Sequence, residues 1–175
     1  MAKNLFWESA ENAVKWYSAA AEQDNAAAQN CLGLCYYYGN GVARSCESAA
    51  AWFKRSAEQN YIKAQVNLAY CYKNGTGVPR NYAEAGKWFE KAAEQGDATA
   101  QHHLAEKYYF GKGVSQNYQE AIKWYKKAAE QGEVEAQNNL GYMYEHGYGV
   151  SQNYQEAIKW YMKASNQGKK KKKNS

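Results

Sequence analysis

Tryptophan returns every 36 residues, at Trp16, Trp52, Trp88, Trp124 and Trp160. The same step joins Ala28, Ala64, Ala100 and Ala136, then Leu32, Leu68, Leu104 and Leu140, then Tyr36, Tyr72, Tyr108 and Tyr144. It also joins Gly39, Gly75, Gly111 and Gly147, and Gly41, Gly77, Gly113 and Gly149, the last four each followed by valine. A strict period of this length marks a chain of supersecondary units that bury their apolar faces against their neighbours. Four units can be cut at 25–60, 61–96, 97–132 and 133–168, after a half-unit at 1–24 and before a Lys-rich tail at 169–175 that is expected to be disordered. Units three and four share the run from Gly113 to Tyr125 and from Gly149 to Tyr161 residue for residue, as a duplication would leave it.

Within a unit the spacing predicts two helices. Ala100, Leu104 and Tyr108 recur every four residues and form one apolar stripe, and the Gly111-x-Gly113 pair ends that helix because glycine tolerates a positive φ. A second stripe follows at Ala121, Trp124, Tyr125 and Ala128. Ser9, Ser45, Asn81, Asn117 and Asn153 share one repeat position and read as N-caps, with Glu84, Glu120 and Glu156 placed for a capping box. Asp24, Asn60, Gly96, Gly132 and Gly168 accept the left-handed conformation and are expected to stop the second helix, so the half-unit holds a helix over about 10–23. Ala28, Ala57, Ala93 and Ala129 sit where helices should cross closely, and the repeated tryptophans are expected to fill the core. Trp88 and Trp124 should count for more than the terminal copy Trp160. The fold class is all-α, a stack of helical hairpins.

Charge narrows the partners. The net +5 comes from Lys169–Lys173, and without them the basic residues only equal the 17 acidic ones. The body therefore offers no basic stripe for nucleic acid, and the lysine run is a solvated tail or a weak, nonspecific tether. Hydrophobic content of 45% excludes a disordered chain. No run approaches the ~18 apolar residues of a membrane span, and the N-terminal residues have no apolar signal core. The expected compartment is the cytoplasm, with export lacking a cleavable signal as the other reading.

The pattern Ala136, Leu140, Gly141, Tyr144, Gly147, Gly149 and Val150, then Ala157, Trp160, Tyr161, Lys163 and Ala164, resembles the Sel1-like repeat (SLR) family, a 36-residue relative of the tetratricopeptide repeat. The resemblance covers residues 11–168. Leu-Gly becomes Leu68-Ala69 and Leu104-Ala105 in the middle units. It implies a right-handed superhelical solenoid of antiparallel helical hairpins with about nine helices. It further implies a non-enzymatic adaptor or scaffold for other proteins, of a kind common in bacteria. Some relatives are linked instead to cell-wall or β-lactam compounds, and a truncated or idealised repeat array without a native partner is a third reading.

Candidate chemistry is sparse. Cys31 and Cys35 lie one turn apart and Cys71 repeats the position of Cys35, but a closed metal site needs about four ligands. The cysteines read as small buried hydrophobes in a reducing compartment. Units three and four have none, which does not suit the cysteine-paired branch of the family. His102, His103 and His146 fall in no catalytic spacing, and no serine has a lysine three residues on. No catalytic residue, metal or cofactor is expected.

The resemblance places the first helices on an inner, concave wall. The positions left to face a partner are Asn30, Leu34, Tyr37 and Tyr38 in unit one, and Val66, Tyr70, Lys73 and Asn74 in unit two. Unit three contributes His102, Glu106, Tyr109 and Phe110, and unit four contributes Asn138, Tyr142, Glu145 and His146. The units differ most at these places, as a binding face on a constant scaffold should. Tyrosine offers rigid contact area with a polar tip, and Glu106 with Glu145 could pair a basic ligand residue. The expected partner is a peptide or helix of another protein. The flank of the final hairpin is a second surface, suited to weak self-association.

Overall fold

The computed structural model describes residues 2–173, with side chains from Ser9 to Gln167. Among the described residues there are nine helices and no strand: α1 (Ala2–Glu22), α2 (Ala26–Tyr38), α3 (Cys46–Glu58), α4 (Ile62–Asn74), α5 (Tyr82–Glu94), α6 (Ala98–Phe110), α7 (Tyr118–Glu130), α8 (Val134–His146) and α9 (Tyr154–Lys173). Among the described residues no helix is long and apolar enough to cross a membrane.

Glycine punctuates the chain where the period requires it. Gly39, Gly75, Gly111 and Gly147 end the first helices with φ of 75°, 72°, 65° and 71°, each N–H reaching a carbonyl of the last turn. Two residues on, a Cβ at Gly41, Gly77 or Gly149 would strike the backbone of Ala10, Cys46 or Tyr118, so only glycine lets the turn sit there. The second helices stop at Asp24, Asn60, Gly96 and Gly132, all at positive φ.

Ser45, Asn81, Asn117 and Asn153 each cap a second helix by accepting from its first-turn N–H groups. The capping box does not close. The cap residues' own N–H groups are already bonded to the carbonyls of Tyr36, Tyr72, Tyr108 and Tyr144, so no donor is left for the glutamate. Glu84, Glu120 and Glu156 turn instead to Lys87, Lys123 and Lys159 one turn along. A further column escaped the sequence reading. Gln29, Gln65, Gln101 and Gln137 are buried, and their amides donate to the carbonyls of Ala21, Ala57, Ala93 and Ala129 at 2.9–3.4 Å. Those carbonyls lie in the last turns of second helices, where each also accepts the backbone N–H of Asp24, Asn60, Gly96 or Gly132, so the glutamine supplies a second donor from the next helix.

The chain divides between Trp88 and Phe89 into two compact units. The first has its core at Ala49, Ala50, Phe53, Ala57, Ala64, Leu68 and Cys71, with a smaller cluster of Val14, Ala21, Ala28 and Leu32. In the second, Ala105, Ala121, Tyr125, Ala128, Ala129, Ala136, Leu140, Met143 and Trp160 form one cluster.

Three expectations are corrected. Ser9 is no cap, because α1 begins at Ala2 and runs through it. Gly168 does not stop the last helix, which continues to Lys173, so residues 169–173 are helical where disorder was expected. Asp97 and Glu133 follow Gly96 and Gly132 and start new helices, whereas Gly168 is followed by lysines, which favour helix. Residues 174 and 175 lie outside the described residues.

The tryptophan ranking is also reversed. Trp16 is 77% exposed, Trp52, Trp88 and Trp124 are half-buried, and Trp160 is buried at 5%. The dominant core position is the next residue: Phe53 and Tyr125 are each 2% exposed. Phe53 lies four residues from both Ala49 and Ala57, in line with the buried face, while Trp52 is rotated by about 100° to its edge. There the rings take cations from their own helices, Arg55 over Trp52 at 5.0 Å and Lys127 over Trp124 at 4.1 Å.

Candidate functional site

Each unit carries one recess on its first helices, and the two occupy equivalent places 72 residues apart. In the first unit Leu34, Tyr37 and Tyr38 of α2 and Tyr70 and Asn74 of α4 surround about 230 Å³, with Phe53 of α3 as a wall. In the second unit Glu106, Tyr109 and Phe110 of α6 and Asn139 and Tyr142 of α8 surround about 330 Å³, with Tyr125 of α7 in the place of Phe53. The geometry follows from helical spacing: residues 34, 37 and 38 lie within one turn, on the side away from the packing Leu32.

A polar bridge joins the two first helices of each unit. Asn67 Nδ2 donates to Asn30 Oδ1 at 2.9 Å, and the Asn139 amide donates to His102 Nε2 at 3.0 Å. Asn30 and His102 are therefore buried. They were expected on the open face, but these partners from the adjacent first helix draw them inward.

Nine of the sixteen predicted residues line a recess: Leu34, Tyr37, Tyr38, Tyr70 and Asn74 in the first unit, then Glu106, Tyr109, Phe110 and Tyr142 in the second. The others do not. Val66 is half-buried and Asn138 exposed. Lys73 lies 5.8 Å from the Tyr70 ring. Glu145 accepts from the Tyr161 hydroxyl at 2.8 Å and does not line the recess with Glu106. His146 donates from Nδ1 to the Tyr142 carbonyl at 3.0 Å and stacks on Tyr148. Sequence reasoning missed Phe53, Asn67, Tyr125 and Asn139; the repetition of asparagine and of an aromatic at a 72-residue step was the available signal.

The second unit's recess adjoins an aromatic cluster. Tyr109 contacts Phe110 edge-on at 4.9 Å and lies 5.3 Å from Tyr118, while Tyr142 stands 6.0 Å from Tyr148. Burial pushes the Tyr109 phenol up, with Tyr142, Tyr148 and Tyr118 adding to it. Burial also pushes Tyr125 up strongly, followed by the Glu106 carboxylate. Tyr161 rises to about 12 from burial and its bond to Glu145. None of these phenols is an acid–base group at neutral pH.

His102, His103 and Glu106 bring three ligand atoms within 4.8 Å of one another. His103 Nδ1 is bonded to Glu106 Oε2 at 2.8 Å and His102 Nε2 to Asn139, so binding an ion through those atoms would break both bonds. The four cysteines are free thiols. Burial and then Cys46 push the Cys71 thiol up to about 11, and burial followed by Cys31 raises that of Cys35, which disfavours the thiolate a metal requires.

No curated protein matches the sequence. Among solved structures, a protective antigen present in uropathogenic Escherichia coli strains, displaying an SLR fold, is 41% identical with a TM-score of 0.85, over 89% of this chain and 33% of that one. A Sel1 repeat protein from Oxalobacter formigenes is 38% identical with a TM-score of 0.87, over 92% of this chain and 64% of that one. The cysteine rich protein B of Helicobacter pylori is 25% identical with a TM-score of 0.55, over 70% of this chain and 90% of that one. The chain thus spans about a third and just under two thirds of the first two. The Sel1 repeat profile matches residues 8–25, 26–61, 62–97, 98–133 and 134–169 in succession, and with the period, the paired glycines and the helical hairpins it places the chain in the Sel1 repeat family.

Proposed function

We propose that this chain is a non-enzymatic interaction module that holds a segment of a partner protein against its first helices. Sel1 repeats commonly mediate protein–protein contacts. The observation that carries the reading is the recurrence of a recess at the same repeat position in both units, lined by the residues that vary between repeats. Tyr38, Phe110 and Tyr142 remain exposed beside these recesses, and large exposed aromatics near a concavity are favoured binding anchors. A second surface supports weak self-association: Tyr154, Ile158 and Met162 form an exposed stripe along one face of α9.

The test is affinity capture followed by calorimetry on two sets of variants. Tyr70→Ala and Tyr142→Ala should each weaken binding by about 2 kcal/mol while shifting stability by about 1 kcal/mol or less. Alanine at Lys87, Lys123 and Lys159, which are exposed on the second helices, should leave binding unchanged. Loss of binding in the lysine set with normal binding in the tyrosine set would place the partner on the wrong helices. Light scattering of an Ile158→Glu, Met162→Glu variant checks the α9 stripe, whose contribution to association should vanish.

A further inference from the structure

Resting on the interaction reading, we propose that the recess of the second unit receives a cationic side chain of the partner polypeptide, an arginine guanidinium, between Tyr109, Tyr142 and the Glu106 carboxylate. Four of its six lining residues are aromatic, the fifth is Asn139, and the sixth is Glu106. Neither lysine nor arginine lines it. Aromatic faces around a carboxylate attract a cation by their quadrupoles as well as by charge, and they repel an anion. The Tyr125 phenol lies in the same field: after burial, the Glu106 carboxylate is the largest factor opposing a negative charge on it.

The carboxylate is held in place before any ligand arrives. Its Oε2 is tied to His103 Nδ1, and the His103 ring packs against Phe89 at a centroid distance of 4.4 Å. Such preorganisation lowers the ordering cost of binding. Guanidinium suits the walls better than ammonium, because it is planar, stacks on aromatic faces and is more weakly hydrated. The first unit supplies the contrast inside the same chain. Leu34 stands in the place of Glu106 and Phe53 in that of Tyr125, so the equivalent recess has no carboxylate and suits an uncharged side chain.

The probe is a capped Gly-Arg-Gly peptide, titrated into the nitrogen-15-labelled chain at slightly alkaline pH with EDTA present to keep metal off His102, His103 and Glu106. Saturable shifts are expected at Tyr109 and Tyr142. The Gly-citrulline-Gly peptide, with the same shape and no charge, should bind about tenfold more weakly, as should the arginine peptide on Glu106→Gln. Glu106→Leu, which installs the first unit's residue, should match Glu106→Gln, and circular dichroism of both variants checks that they remain folded. Equal binding of the arginine and citrulline peptides, indifference to Glu106→Gln, or shifts confined to Leu34 and Tyr70 would each overturn the assignment. A captured partner that depends on Tyr70 and Tyr142 but not on Glu106 would leave the interaction reading standing without the cation. Arginine binding with no partner that depends on either tyrosine would do the reverse.

Discussion

The two units repeat one backbone plan with different side chains at their recesses. Counting 72 residues from the first recess to the second turns Leu34 into Glu106, Phe53 into Tyr125, Asn74 into His146 and Thr76 into Tyr148, while Asn67 returns as Asn139 and Tyr70 as Tyr142. The structural columns do not change over the same step: Leu32 and Leu104, Gln29 and Gln101, and Ala57 and Ala129 are all buried. A repeat array keeps the positions that join its units and is free at those that do not. The difference between the units is therefore chemical, a recess without a charged residue in one and a recess with a carboxylate in the other.

The largest test of that equivalence lies at the aromatic wall. Phe53→Ala and Tyr125→Ala should each cost about 3–5 kcal/mol in denaturant melts, since both rings are 2% exposed. Trp16→Ala, at 77% exposure, should cost about 0.5 kcal/mol or less. A loss at Trp16 equal to that at Phe53 would break the ranking of the two columns.

The glycine turns come next. A Cβ at Gly77 would collide with the Cys46 carbonyl, whereas one at Gly96 meets nothing within 4 Å, although both residues have positive φ. Gly77→Ala should therefore destabilise by roughly 2–5 kcal/mol and Gly96→Ala by about 1 kcal/mol, measured by urea unfolding. Equal losses would mean that strain in φ alone decides these turns.

A smaller effect sharpens the chemical contrast. Tyr125→Phe restores the first unit's residue and removes a buried hydroxyl beside the Glu106 and Asn139 side chains of the recess, for an expected loss of about 1 kcal/mol. Calorimetric unfolding reads this directly, and no loss would show that the hydroxyl merely fills space. Smallest of all, Lys123→Ala removes an exposed pair with Glu120 and should change stability by about 0.5 kcal/mol or less, fading with added salt. A larger, salt-insensitive change would give the outer pairs a structural part in the second helices.

Much of this architecture was legible without coordinates. The 36-residue step and the positive-φ residues located the helices, because capping and chain reversal depend on residues a few positions apart. The recessed face of the first helices was legible in part. Position on a helix separated Leu34, Tyr70, Glu106 and Tyr142 from the packing leucines, and all four line recesses. Asn30 and His102 were misplaced because their burial depends on Asn67 and Asn139, each 37 residues away on another helix.

The sequence by itself determined the family, the repeat, the ends of the inner helices and the side of the first helices that varies. Each of these follows from local stereochemistry or from a regular period. Only the tertiary structure decided that Phe53 and Tyr125 outrank the tryptophans, that buried glutamines add a second donor at the ends of second helices, and that Glu145 bonds Tyr161 while Glu106 lines a recess. Those outcomes depend on which side chain arrives from a neighbouring helix, and one helix's periodicity holds no information about the surface packed against it.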